Sequence, residues 1–232
     1  MWLDWDAALS ILGHEVEIKE TYASLLASTV PPDLFIDVGA NYGLHSLLFL
    51  VHGVDVISFE PNHRCREYFL SACRLNGVTA RLEEVALGDI SRDTELWFPE
   101  GRTWLGSTDT AARKSLEASY QLSSQRVTQK RLDDYLSDMR SRRVLLKIDT
   151  EGSEYQVLAG SRRTLREIRP HVIFESWRGN GRHELFELFS LERYRIASLP
   201  WQVESPPQFH GRERFLDSHA INFIASPSTY EP

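Results

Sequence analysis

The fold of this chain is decided by the stretch Leu34-Phe35-Ile36-Asp37-Val38-Gly39-Ala40-Asn41-Tyr42-Gly43. It begins with a short apolar run and ends in a turn between two glycines, after which apolar residues recur at helical spacing from Leu44 to Val51. This pattern predicts a buried strand, a tight turn and a helix. Glycine permits positive φ and close approach of a ligand, and a helix start presents free N–H groups. The turn is therefore predicted to hold a ligand against the main chain.

The turn differs from the dinucleotide fingerprint G-x-G-x-x-G, because three residues separate Gly39 from Gly43. Asp37, at the end of the predicted strand, would repel a pyrophosphate but suits a ligand with an ammonium group. S-adenosylmethionine carries both an ammonium and a sulfonium, so it is the predicted ligand, with the turn at its methionine end. For this stretch alone, an ordinary strand-turn-helix with a solvated Asp37 is the alternative.

A second strand is predicted from Val54 to Phe59, and Glu60 follows it, 21 positions after Gly39. An acidic residue about 20 positions beyond such a turn, at the end of the next strand, is placed to accept hydrogen bonds from ribose hydroxyls. We therefore predict that Glu60 binds the ribose of the cofactor. A merely solvated carboxylate is the alternative.

Three further carboxylates follow predicted strands. Asp149 and Glu151 come directly after the fourth strand, 144–148, and Glu175 ends the fifth. Open α/β sheets bind their ligands at the carboxyl ends of the strands, so these side chains are expected at one site. Lys147 points to the same face as Asp149, since strand side chains alternate.

Three motifs, in this order, resemble the FkbM family of S-adenosylmethionine-dependent methyltransferases. They are Asp37-Val38-Gly39-Ala40-Asn41-Tyr42-Gly43, Phe59-Glu60-Pro61-Asn62 and Leu146-Lys147-Ile148-Asp149-Thr150-Glu151-Gly152-Ser153-Glu154, with an echo at Asn222-Phe223-Ile224-Ala225. The resemblance implies an α/β fold with a doubly wound, Rossmann-like sheet. That sheet would be mostly parallel, with helices on both faces and one antiparallel strand from a C-terminal hairpin. The resemblance does not fix the substrate.

The resemblance also implies which residues meet the cofactor, with S-adenosyl-L-homocysteine as the product. The expected set is Asp37, Gly39, Ala40, Asn41, Gly43, Glu60, Pro61, Val85, Ala86, Leu87 and Asp149. In the family, the loop that starts at Ala86 flanks the adenine. Arg131 stands where the family commonly has Thr, a departure that affects only a structural turn.

The expected reaction is direct displacement at the sulfonium methyl by an acceptor oxygen. Positioning of two reactants contributes roughly 7–11 kcal/mol, and a general base about 3–5.5 kcal/mol. Asp149 and Glu151 are the first candidates for the base or for a group that orients the acceptor, followed by Glu175 and His45. Lys147 is a further candidate to orient the acceptor.

Three alternatives stay open at this point. The three carboxylates could bind a divalent cation that acidifies the acceptor hydroxyl, although their spacing matches no tight ligand pattern and no metal is predicted. The chain could be a nicotinamide-dependent oxidoreductase, or a module that binds S-adenosylmethionine without chemistry.

Length and composition limit the class of protein. With 232 residues, a single domain 1–232 is predicted, made of an N-terminal helical cap 1–32, a cofactor-binding core 33–175 and a C-terminal helix and hairpin 176–232. The net charge of −7 argues against a nucleic-acid partner. No apolar run approaches the ~20 residues of a membrane span, and the acidic start lacks a signal peptide's basic region, so a cytoplasmic protein is expected.

The predicted acceptor is a small molecule, a hydroxyl-bearing sugar or another natural product. Residues 99–126 and 200–219 lack a sustained period and are expected to be mobile loops on the acceptor side. Four aromatic residues on that side suit flat or apolar ligand faces: Trp104, Trp177, Trp201 and Phe209. For Trp104, anchoring the loop to the core is an equal alternative. The sequence gives no indication of the oligomeric state.

Overall fold

The computed structural model describes residues 15–102, 105–179, 181–203, 205 and 208–228. Its strands are β1 Leu34–Val38, β2 Asp55–Phe59, β3 Arg81–Glu83, β4 Ala86–Leu87, β5 Arg92–Pro99, β6 Leu122–Lys130, β7 Val144–Ile148, β8 His171–Glu175, β9 Tyr194–Ser198 and β10 Asn222–Pro227. Seven of them form one sheet in the order β3-β2-β1-β7-β8-β10-β9. Neighbours pair in parallel except β10, which is antiparallel to both β8 and β9. The expected mostly parallel sheet with one antiparallel strand is confirmed.

Helices cover both faces of this sheet. They are α1 Val16–Leu26, α2 Leu44–Val51, α3 His63–Leu75, α5 Leu136–Met139, α6 Glu154–Ala159, α7 Arg182–Leu191 and α8 Arg212–Asp217; a further helix, α4 Thr110–Glu117, packs against β5 instead. Alternate residues of β1 face opposite layers, because strand side chains point alternately up and down. Phe35 stacks on Phe49 of α2 at 4.0 Å between ring centroids, beneath Tyr22 of α1. Ile36 belongs to the other apolar cluster, which α5 to α8 cover.

A second, smaller sheet has the strand order β4-β6-β5. The expectation of a loop across residues 99–126 is wrong, because this segment contains α4 and most of β6. The sequence of β6 shows no alternation of apolar and polar residues, because the strand is largely exposed and its side chains are mainly polar. Its order comes instead from antiparallel pairing with β5, from Arg92↔Gln129 to Pro99↔Leu122.

Other boundaries also differ from expectation. The third strand, predicted from Ala80 to Val85, ends at Glu83, and the chain then joins the smaller sheet through β4. The helix expected after β7 is short, and a π-helical segment, Thr164–Ile168, follows it. The predicted helix 3–28 is described from Val16 to Leu26, and its first part lies outside the described residues. Within the described chain, no helix has the length and apolar character needed to cross a membrane. The division into cap, core and C-terminal part stays a prediction.

Candidate active site

A cleft opens at the carboxyl ends of β1, β2 and β7, beneath the smaller sheet. It holds about 560 Å³ of empty space, part of which is open to solvent. Its described lining is Val38, Gly39, Asn41, Phe59, Glu60, Pro61, Val85, Ala86, Leu87, Leu96, Gly106, Thr108, Asp149, Thr150, Glu151 and Ser153. Most of the predicted cofactor residues are in this set. Asp37, Ala40 and Gly43 are not.

The glycine turn is held by main-chain contacts. The N–H groups of Gly39 and Ala40 donate to the carbonyl of Phe59 at 3.0 and 3.1 Å. Gly39 has φ of 81°, and a Cβ at this position would lie 1.8 Å from the carbonyl oxygen of Asp149. A Cβ at Gly43 would lie 2.1 Å from the ring of Phe69. The glycines are therefore required first by close packing within the protein, whereas the sequence suggested only close approach of a ligand.

This packing predicts that Gly39→Ala destabilises the protein. Gly53→Ala is the matched control, because Gly53 also has positive φ, at 76°, but has open space where the Cβ would stand. Both variants carry the backbone strain, and only the first adds the clash with Asp149. We expect Gly39→Ala to lose about 1–3 kcal/mol more unfolding free energy than the control in urea titrations. Equal losses would contradict the assigned role of the clash.

Glu60 is buried at the end of β2 and faces the cleft. Its Oε2 accepts from the N–H of Asn41 at 2.8 Å, and its Oε1 accepts from the N–H of Asn62 at 2.7 Å. Burial raises the pKa of Glu60 to about 7, although both N–H donors oppose the rise. Because a carboxylate has about four acceptor positions, two remain for hydroxyl donors from a ligand.

Asp37 is fully buried in β1 and does not reach the cleft. Its Oδ2 accepts from the hydroxyl of Ser46 at 2.6 Å, and Ser46 in turn lies 2.8 Å from Ser58. Among the described residues, Asp37 Oδ1 has no hydrogen-bond partner. This placement differs from the expectation that Asp37 faces the ammonium group of a ligand, and the sequence could not reveal it because Ser46 lies on a separate helix.

An acidic cluster forms where β7 and β8 end. Side-chain oxygens of Asp149, Glu151 and Glu175, all half-buried, lie within 4.8 Å of one another, so together they could hold a cation. Buried Lys147 donates to Asp149 Oδ2 at 2.9 Å and supplies a positive charge there. Burial, with the charge of Asp149, raises the pKa of Glu151 to about 8, and the same causes hold the pKa of Glu175 well above its usual range.

His45 lies outside the cleft. Its Nδ1 is 3.2 Å from the hydroxyl of Tyr22, and its Nε2 is 3.0 Å from Glu15 Oε2. Tyr22 belongs to α1 and Glu15 directly precedes it, so His45 joins α1 to α2. This position gives His45 a structural contact in place of the catalytic role for which it was a candidate.

From the sequence alone, Arg182 is a cationic side chain that could receive an anionic acceptor group. It is buried at the start of α7, where its guanidinium donates to the main-chain carbonyls of Ser176, Ser218 and Ala220 at 2.6–2.7 Å. The side chain therefore ties the chain after β8 to the segment before β10. It is not available to an acceptor.

Two of the aromatic residues expected beside the acceptor lie elsewhere. The ring of Trp201 is 5.3 Å from that of His171, which begins β8 at the end opposite the acidic cluster. The ring of Phe209 lies 4.0 Å from the guanidinium carbon of Arg195. Trp104 falls outside the described residues. Within 200–219, Trp201, Phe209 and Phe215 pack against the two apolar clusters, and part of the segment forms α8.

Leu96, Gly106 and Thr108 form a wall of the cleft; none of the three was predicted individually, although 99–126 was expected on the acceptor side. The wall comes from β5 of the smaller sheet and from the segment 106–108, in which Ser107 bridges to Trp97. Gln125 anchors the smaller sheet by donating to the carbonyl of Pro61 at 2.9 Å. Thr108 Oγ1 lies 3.5 Å from Ser153 Oγ, across the cleft's edge. The glycine and serine content of 99–126 was the available signal, and it predicts a mobile loop on the acceptor side.

The sheet order and the ligand-facing strand ends define a Rossmann-like methyltransferase fold. Residues 37–219 match the model of the methyltransferase FkbM domain, so the chain belongs to that family of S-adenosylmethionine-dependent methyltransferases. No curated protein matches its sequence.

The chain is similar to methyltransferase FkbM from Methylobacillus flagellatus KT, with 16% identity, a TM-score of 0.49, and coverage of 84% of this chain and 43% of that one. It is similar to a ribosomal protein L11 methylase from Lactobacillus delbrueckii subsp. bulgaricus, with 13% identity, a TM-score of 0.48, and coverage of 94% and 81%. For SMU.1697c of Streptococcus mutans, a putative methyltransferase in complex with SAH, the identity is 10%, the TM-score 0.44, and the coverage 90% and 97%.

Proposed function

We propose that this chain transfers the methyl group of S-adenosylmethionine to a hydroxyl oxygen of a sugar or another small natural product. The observation that carries the proposal is one cleft with different chemistry at its two ends. Glu60 follows β2 and Asp149 follows β7, on opposite sides of β1, so Glu60 and an apolar wall lie at one end and Asp149 and Glu151 lie at the other. The first end suits a nucleoside, and the second suits positive charge and a hydroxyl.

The residues of the cleft fit the cofactor. Glu60 would accept from the ribose hydroxyls, since its two N–H contacts leave acceptor positions free. Val85, Ala86 and Leu87 would pack on the adenine, which needs a flat apolar surface. Asp149 would balance the cationic end. Asp37 lies buried behind the glycine turn, where it binds Ser46, and would not contact the cofactor directly.

When bound, the cofactor supplies an electrophilic methyl group. We assign proton acceptance to the Glu151 carboxylate, whose raised pKa lies near the pH at which a base is most effective. Asp149 is held by Lys147 in one orientation, which suits a group that positions the acceptor hydroxyl. Glu175 completes the acidic cluster.

Three features favour a small hydroxylated acceptor. The net charge of −7 gives no long-range attraction to nucleic-acid phosphates. Trp177 is 51% exposed, and its side chain hydrogen-bonds to Glu175, so an apolar ring surface stands beside the acidic cluster. Arg182 is committed to main-chain carbonyls, which removes one candidate partner for an anionic acceptor.

The test is methyl transfer from labelled cofactor to glycosides, hydroxylated polyketides, peptides, tRNA and duplex DNA. Label in an ether of a small molecule would support the proposal. Label in nucleic acid alone would overturn it, and label on a peptide nitrogen or carboxylate would keep the methyltransferase but change the acceptor. Repeating the assay with a chelator tests the cation alternative, and a rate unchanged by the chelator is expected.

Glu60→Ala is predicted to weaken binding of S-adenosylhomocysteine about 10- to 150-fold, because a hydrogen bond to a charged group is worth about 1.5–3 kcal/mol. Binding to the wild type should tighten as the pH rises through about 7, since the ionised Glu60 is the better acceptor of hydroxyl protons.

Calorimetry at several pH values measures both effects. Glu84→Ala is the control, because Glu84 follows the neighbouring strand but pairs with Arg66 at the surface. A dissociation constant that Glu60→Ala leaves unchanged would remove Glu60 from the cofactor site.

A further inference from the structure

The loop between β7 and α6 carries two members of the acidic cluster in an unusual conformation. Glu151 has φ of 53° and Gly152 has φ of 101°, so two successive residues are left-handed. A side chain at positive φ is unfavourable, and it persists where the surroundings hold it. Something must therefore fix the main chain on either side of Glu151.

Glu154, the first residue of α6, makes the required contacts. Its Oε1 accepts from the N–H and the hydroxyl of Thr150, both at 3.0 Å, and from the N–H of Gly152 at 3.1 Å. These main-chain donors lie immediately before and after Glu151. The side chain of Glu154 is buried, so water does not compete well for these bonds. Its carboxylate thus binds both flanks of Glu151.

Glu154 itself is not among the described residues that line the cleft, so any effect on the chemistry must pass through the loop. We infer that Glu154 is a positioning residue, which holds the loop 150–152 so that the Glu151 carboxylate points into the acidic cluster. The inference rests on the proposed function, because it assigns a use to the position of Glu151. The sequence suggested only that Glu154 suits the positive first turn of a helix.

Three variants distinguish the role of the Glu154 oxygen as a hydrogen-bond acceptor from the role of its negative charge. Glu154→Gln keeps an Oε1 acceptor in place without the charge, and Glu154→Ala removes it. Glu154→Asp keeps the charge on a side chain that is shorter by one methylene, and it provides the test if the alanine variant does not fold. Glu184→Ala is the matched control, since Glu184 stands exposed in the first turn of α7.

Amide hydrogen exchange in the free protein gives a readout that needs neither cofactor nor acceptor. Exchange of the Gly152 N–H should be about 10- to 100-fold faster in Glu154→Ala or Glu154→Asp, and near wild type in Glu154→Gln and Glu184→Ala. For a substrate that the wild-type protein methylates, the rate of methyl transfer should fall about 100-fold in Glu154→Ala. The affinity for S-adenosylhomocysteine should change much less.

Unchanged exchange at Gly152 in Glu154→Ala, or equal acceleration in Glu154→Gln and Glu154→Ala, would overturn the inference. So would methyl transfer at the wild-type rate in a variant with accelerated exchange. A wild-type protein that methylates no acceptor would refute the proposed function instead, and the exchange result would still decide whether Glu154 fixes the loop.

Discussion

Glu151→Gln is expected to lower turnover about 10²–10⁴-fold, the range that a general base contributes. The amide cannot accept the acceptor's proton, although it has nearly the same shape. Binding of S-adenosylhomocysteine should change much less, because a base acts mainly in the transition state. Initial rates and calorimetry on the same preparation measure the two effects.

The pH profile gives this prediction a second test. A base works in its ionised form, so wild-type turnover should rise with pH and level off above about 8, the pKa to which burial and Asp149 raise Glu151. Glu151→Gln should lose this rise. Glu95→Gln, an exposed carboxylate on β5, controls for a simple change of charge. If Glu175→Gln abolishes turnover while Glu151→Gln does not, the base is Glu175.

Asp149→Asn should destabilise the protein by about 3–5 kcal/mol, because it leaves the charge of Lys147 buried without its hydrogen-bonded partner. Burial alone would lower the pKa of Lys147, but the charges of Asp149 and Asp37 raise it above its ordinary value. Lys147→Met should cost less, since the Asp149 side chain is 27% exposed and water can solvate it. Urea titrations of the single and double variants measure these losses.

The double variant Lys147→Met/Asp149→Asn should be clearly more stable than the sum of the two single losses suggests. Asp93→Asn is the control: Asp93 pairs with Arg126 at the same 2.9 Å distance but at the surface, and we expect a loss within about 1 kcal/mol. Strictly additive losses at Lys147 and Asp149 would contradict the buried pair. A large loss of stability would also make Asp149→Asn a poor test of catalysis. The variant used to test catalysis is therefore Glu151→Gln.

Much of the fold followed from local sequence. The stretch from Leu34 to Gly43 predicted a strand, a turn and a helix because each signal lies within a few residues. Glu60 was found in the same way, since its position depends only on the end of a strand and its distance from the turn. The resemblance supplied the antiparallel β10, which no local pattern identifies.

Features that depend on how segments fold against one another were not predictable. Leu96 lines the cleft because β5 pairs with β6, which shows no apolar alternation of its own. Thr108 lines it because the neighbouring Ser107 bridges to Trp97 of β5. Asp37 appeared available to a ligand until the structure placed Ser46 against it. Glu154 showed only a helix-start signal, whereas its three contacts depend on how the preceding loop folds back.

The most direct test of the central claim, that the cleft beneath the smaller sheet is a site for S-adenosylmethionine, is calorimetry of the wild-type protein with S-adenosylhomocysteine and, separately, with NADH. We predict saturable binding of S-adenosylhomocysteine and none of NADH, because the turn lacks the dinucleotide fingerprint and the far end of the cleft carries carboxylates. Binding of NADH without binding of S-adenosylhomocysteine would contradict the account.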